Sequence, residues 1–329
     1  MKKLKRFSAL FLLFAFTVSA LTGCGKKEEQ EVKKVTFVQL ADNGAFTDMK
    51  DGFVARMAEL GYDDSNILYD TKNAQGDATT LNSICQELMG SDVDLIVPIV
   101  TPATQAVVNA NIESGAEKPV IFISVTNPVG AGVMTEMETP DKNATGTSNA
   151  VPVDEIFKLA DELTPDIKTY GIVYCSSEVN AVLTVENAKK YLDGQNVAYI
   201  EKTVVNSSDV AQAAQALVGD VDAIYVPIDS TVQTAMDQLA SIAKDAGIPV
   251  YGSSPVMVAS GALATVSVSD KQIGAMSADM ADKFFKGTAL KDIPAVTLDT
   301  FTTVVNKTTA EAVGVDSSKY SGDSVITLE

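Results

Sequence analysis

Late in the chain, Asp220-Val221-Asp222-Ala223-Ile224-Tyr225-Val226-Pro227-Ile228 repeats the design of Asp92-Val93-Asp94-Leu95-Ile96-Val97-Pro98-Ile99. Ile248-Pro249-Val250-Tyr251-Gly252-Ser253 likewise echoes Lys118-Pro119-Val120-Ile121-Phe122-Ile123-Ser124. Short apolar runs of this kind, separated by longer amphipathic stretches, read as parallel strands joined by crossover helices. In the first half, strands are predicted at 35–40, 67–70, 93–100 and 119–124 and helices at 46–60, at about 78–89 and at 101–114. The second half predicts strands at 169–174, 197–204, 220–228 and 248–253, and helices at 180–192, 208–218 and 232–246. The shared Val-Asp entry, Pro exit and Pro-Val restart make one duplicated α/β unit the economical reading. At 329 residues the chain also exceeds the usual size of one compact domain, so two lobes are expected.

The N-terminus carries a different message. Lys2, Lys3, Lys5 and Arg6 precede an apolar run from Phe7 to Leu21, which is the pattern of a signal peptide over residues 1–23 and too short for a membrane span. Leu21-Thr22-Gly23-Cys24 resembles the lipobox of bacterial lipoproteins, which implies a lipid on Cys24, and the polar residues after it read as a tether over 24–33. With a net charge of −18, before loss of that basic start, nucleic acid is excluded as a natural partner and any membrane contact should come from the acyl anchor. Cys85 and Cys175 sit in apolar patterns and read as small buried hydrophobes. There is no His, which removes Ser-His-Asp triads, Cys-His dyads and the usual zinc sites. No enzyme, metal site or cofactor is therefore expected.

In open parallel sheets ligands bind beyond the carboxyl ends of the strands, where helix N-termini also point. Those ends supply Asp42 and Phe46; Thr101 and Thr104; Ser124, Thr126 and Asn127; then Ser176, Ser177 and Asn180; Asp229, Ser230 and Thr231; and Ser253, with Asn149 added as a further candidate. Each hydroxyl or amide taken alone equally reads as a helix cap or turn residue. Together they suit recognition: hydroxyls and free N–H groups, with Thr104 and Thr126 in front, hold a carboxylate, and Asp229 holds an ammonium group. Lys and Arg are missing from these ends, which disfavours a phosphorylated ligand, and the serines have no base to activate them.

With these residues laid out, the chain resembles the ABC-transporter substrate-binding lipoproteins of the tryptophan/tyrosine-binding type, a branch of the type I periplasmic binding proteins. The resemblance rests on Asn73-Ala74-Gln75-Gly76-Asp77, Ala103-Thr104-Gln105-Ala106, Val125 to Gly132, Asn143 to Ser148, Tyr174 to Asn180, Asp222 to Pro227 and Gly261 to Thr265. It implies two similar Rossmann-like lobes, each a parallel sheet flanked by helices, joined by three crossing segments near 145–151, 263–269 and 296–303, with a ligand cleft between. Lobe 1 would comprise 34–148 plus 268–297, and lobe 2 149–267 plus 298–329. It further implies an extracytoplasmic, membrane-anchored monomer that closes on an aromatic amino acid and works with an ABC permease and its ATPase. A nucleoside or sugar ligand, or a sensor role, would suit the same architecture. Relatives carry a His-Pro-Ala-Leu-Asp-like stretch where this chain has Asn43 to Asp48, so Phe46 is either a stacking face or, by its spacing to Met49 and Phe53, a core residue.

Overall fold

Strand and helix alternate along the chain because apolar runs too short for a helix are followed by stretches with helical apolar spacing and a polar cap. The computed structural model describes residues 32–320 and 325–328. The expectations for residues 1–23, Cys24 and most of the tether lie outside the described residues. The first half gives β1 (Lys33–Gln39), α1 (Gly44–Glu59), β2 (Ile67–Asn73), α2 (Ala78–Met89), β3 (Leu95–Pro98), α3 (Val100–Ser114), β4 (Val120–Phe122) and β5 (Ala144–Ser148). The second gives α4 (Val153–Leu163), β6 (Thr169–Cys175), α5 (Val179–Gln195), β7 (Ala198–Val204), α6 (Val210–Gln215), β8 (Ala223–Tyr225), α7 (Ser230–Thr234), α8 (Met236–Asp245), β9 (Val250–Tyr251), α9 (Pro255–Ala259) and β10 (Ala264–Ser267). Helix α10 (Asp270–Phe285), β11 (Val296–Thr297), β12 (Thr302–Asn306), α11 (Lys307–Ala312) and β13 (Val325–Leu328) complete it.

Two sheets result, ordered β11-β5-β4-β3-β1-β2 and β13-β12-β10-β9-β8-β6-β7. Within them β2-β1-β3-β4-β5 and β7-β6-β8-β9-β10 have the same order, so the duplication read from the sequence is a duplication of topology. Every pairing is parallel except β10 with β12. Such sheets must be covered on both faces. Period-two alternation assigns Phe37, Ile121 and Ile123 to one core and Val38, Val120 and Phe122 to the other in the first lobe. In the second lobe Val173, Ile224 and Val250 face one core, and Ile172, Tyr225 and Tyr251 the other. Cys85 and Cys175 are buried and unpaired in these cores.

The chain passes from sheet to sheet three times, between β5 and α4, between β10 and α10, and between β11 and β12. The helix predicted at 232–246 is two helices, because the backbone at Ala235 (φ −114°, ψ 21°) leaves the helical region. The helix predicted to reach Val218 ends at Gln215.

After the second crossing α10 returns to pack on α1. A Cβ on Gly274 would lie 1.9 Å from the Met49 carbonyl oxygen, and one on Gly52 would lie 2.1 Å from that of Lys271. Only glycine at both positions allows the two backbones to meet this closely.

Candidate functional site

Helix α3 starts without a side-chain cap, since its preceding residue is Ile99. Val100 N is bonded to Ile123 O at 2.9 Å and Pro102 has no N–H, so Thr101 carries the first amide left without a side-chain cap, and the helix dipole places partial positive charge there. Two hydroxyls stand beside that opening. Thr101 and Ser124 are each 1% exposed, and neither Oγ1 of Thr101 nor Oγ of Ser124 has a hydrogen-bond partner among the described residues. Val100 and Ser124 adopt φ of 63° and 67°. A β-branched residue in that region is strained, and such strain collects where a ligand is held. Oδ1 of Asn180 and Nδ2 of Asn43 are likewise buried without a partner. Buried polar atoms are almost always paired, so this concentration at strand ends points to a ligand that completes them.

The opposite wall is acidic. Asp229, 1% exposed, caps α7: its Oδ1 accepts from Val232 N at 2.8 Å and its Oδ2 from Cys175 N at 2.5 Å. Glu178 is also buried and accepts from Ser230 N at 3.0 Å, from Thr231 N at 2.8 Å and from the Thr231 hydroxyl at 2.7 Å. Burial, and secondly the charge of Glu178, hold Asp229 well above the ordinary carboxylate range. Asp270, the first residue of α10, is pushed up to about 7 by burial and secondly by Asp48. Among the described residues no Lys or Arg pairs with Asp229, Glu178 or Asp270.

Val100 at the start of α3 shares with Asp229 and Asp270 a small cavity of about 30 Å³, lined from the first lobe by Phe46, Met49, Val100 and Asp270 and from the second by Asp229, Ser230, Gln233, Ser253 and Ser254. Asn149, at the first crossing, lines it too. A second, uncharged space of about 340 Å³ opens beside Thr126, Asn127, Asn180 and Leu183. The lobes touch at both lips, with Gly44 beside Val256 and Gly130 against Leu183.

The candidate residues thus fall into groups. Phe46, Asn149, Asp229, Ser230 and Ser253 meet at the acidic cavity, and Thr126, Asn127 and Asn180 at the uncharged one. Phe46 is both a core residue and a cavity wall. Thr104 and Thr126 have their hydroxyls committed, to Val100 O at 2.8 Å and Asn149 Oδ1 at 3.0 Å, so the open donors are Thr101 and Ser124 instead. Thr231 is occupied by Glu178. Thr101, Thr104, Ser124 and Thr231 are not among the lining residues of either cavity, nor are Asp42, Ser176 and Ser177: Asp42 is exposed and bonded by the Gln39 amide, and the turn after β6 sends Glu178 inward and both serines to solvent. Sequence reasoning missed Gln233 and Asp270. Ser269-Asp270 carries the signal of a capped helix start, and nothing local distinguishes an acid there for the dipole from an acid facing a cleft.

Known proteins resemble this chain over most of its length. Residues 34–320 match the family model described as ABC transporter substrate binding protein. A tyrosine-binding protein of Clostridioides difficile is 33% identical over 338 residues, covering 99% of this chain and 96% of that protein. An ABC domain from Streptococcus pneumonia, solved in complex with L-Trp, superimposes with a TM-score of 0.83 at 29% identity, covering 87% of this chain and 96% of that one. A ligand-free, open substrate-binding protein with adhesive properties from Clostridium difficile gives 0.68 at 33% identity, covering 91% of this chain and 100% of that one.

Proposed function

We propose, because this chain belongs to the family of ABC transporter substrate-binding proteins, that it captures one free aromatic amino acid between its lobes and presents it to an ABC permease and its ATPase. The observation that carries the reading is one cavity shared by Val100, at the uncapped start of α3 next to the unpaired hydroxyl of Thr101, and by the buried acids Asp229 and Asp270, which have no cation among the described residues. An α-carboxylate satisfies the first wall and an α-ammonium the second. Phe46 and Met49 give the cavity an apolar side. A sugar or nucleoside brings no ammonium group to the acids. The L-Trp complex and the tyrosine-binding relative support an aromatic side chain.

The higher TM-score with the L-Trp complex than with the open protein, despite lower identity, supports a closed arrangement here. Closure by ligand requires contacts to both lobes, and this cavity has walls from both. The anchor belongs to the same proposal. Among the described residues no helix is long and apolar enough to cross a membrane. Lipidation of Cys24 after removal of 1–23 would hold a monomeric binder at the outer face of the cell membrane.

The double variant Thr101→Val, Ser124→Ala is expected to bind L-tyrosine and L-tryptophan about 100- to 10,000-fold more weakly by calorimetry, since each lost hydrogen bond to a charged group is worth roughly 1.5–3 kcal/mol. Affinity within about 3-fold of the parent would remove the carboxylate from this helix start. In cells, replacement of Cys24 by Ser should release the mature chain from membranes, and continued sedimentation with them would exclude the anchor.

A further inference from the structure

Asp270 is the one buried acid of the cavity that no structural duty explains. The cap of α10 is Ser269, whose hydroxyl accepts from Gln272 N at 3.3 Å, so Asp270 is not needed to satisfy the helix start. Its side chain sits at the cavity with Phe46, Met49 and Val268, and the residue is only 9% exposed. Among the described residues no hydrogen bond or ion pair reaches its carboxylate; the adjacent Lys271 turns away to Asp48 at 3.4 Å. The placement is rigid, because Gly274, one turn further along α10, is locked against the backbone of α1. Asp229 differs, since backbone amides already bind both of its oxygens, although a carboxylate has further lone pairs to give.

We propose that Asp270 receives the α-ammonium group of the ligand together with Asp229, so that one cation ties α10 of the first lobe to α7 of the second. The proposal rests on the amino-acid reading above and adds the residue that makes the amine a requirement. Both carboxylates line one cavity, and a cation held between them would be attracted to each. The amine would then act as the latch between lobes, while the carboxylate of the ligand touches α3. The charged groups around Asp270 are Asp48 from α1, Lys271 on its own helix and engaged with Asp48, and Asp229, which lines the same cavity from the second lobe. Since Asp270 must be ionised to receive a cation, affinity should rise with pH across neutrality.

The test is calorimetry of the wild-type chain and Asp270→Asn with L-tyrosine, L-tryptophan and 3-(4-hydroxyphenyl)propionate, which lacks the amine. Asp270→Asn is expected to bind the two amino acids about 10- to 100-fold more weakly and to bind the amine-free acid as well as wild type or better. It should also flatten the rise in affinity between about pH 6 and about pH 8. Unchanged amino-acid affinity, or equal losses for the amino acids and the amine-free acid, would overturn the assignment. If wild type binds neither L-tyrosine nor L-tryptophan, the amino-acid reading itself fails and takes this assignment with it. Wild type that binds them while Asp270→Asn binds equally well refutes Asp270 alone.

Discussion

Asp270→Asn is expected to stabilise the empty protein, by an amount that grows with pH. The carboxyl of Asp270 is held at about 7 in the fold, chiefly by burial and then by Asp48, against about 3.9 in an unfolded chain. The folded value is the higher one, so the native state holds this proton more tightly than the unfolded state. The associated stability is fully present below the unfolded value and is lost as pH rises through about 7. The difference corresponds to about 4 kcal/mol, or very roughly 10 °C in Tm for a chain of this size. Asn has no proton to lose. Melting curves of the two proteins without ligand should therefore nearly coincide at about pH 4 and diverge to their full separation above about pH 7. Parallel behaviour at all pH values would mean that Asp270 is not buried as an acid. Asp229, raised for the same reasons with Glu178 as its neighbour, adds a loss of the same sign that remains in the variant. Stability given up in this way by the empty site is what a bound cation would restore.

A second large effect is expected at the contact of α1 and α10. Gly274→Val would drive a side chain into the Met49 carbonyl, 1.9 Å from where its Cβ must sit, and backbone cannot rotate aside as a side chain does. The helices would separate over a core that includes Phe53, Met57, Ile273 and Ala281. A loss of about 3–5 kcal/mol is expected, the upper end of what overpacking causes, and denaturant titration reads it directly. Gly194 in α5 is the matched control, with nothing within 4 Å of an added Cβ. There, Ala should stabilise by about 0.5–1 kcal/mol through helix propensity alone. If both substitutions behaved alike, the close approach of α1 to α10 would not be a structural requirement. Because that contact also positions Asp270, ligand affinity should fall in Gly274→Val and not in Gly194→Ala.

Legibility followed the range over which each signal acts. Strands such as Val120–Phe122 and Ala223–Tyr225 are apolar on consecutive residues because both faces are covered, and that is written locally. Helices with a full amphipathic stripe were equally plain. The break at Ala235 was not, since apolar spacing continues through it and only packing selects the kink. For the site, the sequence singled out Asp229 and Ser253 by the rule that ligands meet strand ends, with Asn149 as a further candidate, and all three line the acidic cavity. It could not say which hydroxyls had protons to offer. Thr104 and Thr101 are three residues apart on one helix, and only the fold shows Thr104 bonded to Val100 O and Thr101 left open.

What the sequence by itself determined was the duplicated α/β plan, the His-free chemistry and the strand ends at which polar side chains gather, because periodicity, composition and turn residues are properties of neighbours along the chain. The tertiary structure decided which of those side chains are buried, which are already bonded and which face a common space. Asp270 shows the difference: it reads as an ordinary first-turn acid, and it becomes a partnerless carboxylate opposite Asp229 only once α10 has returned to α1. Burial and desolvation depend on residues hundreds of positions away, and no local pattern encodes them.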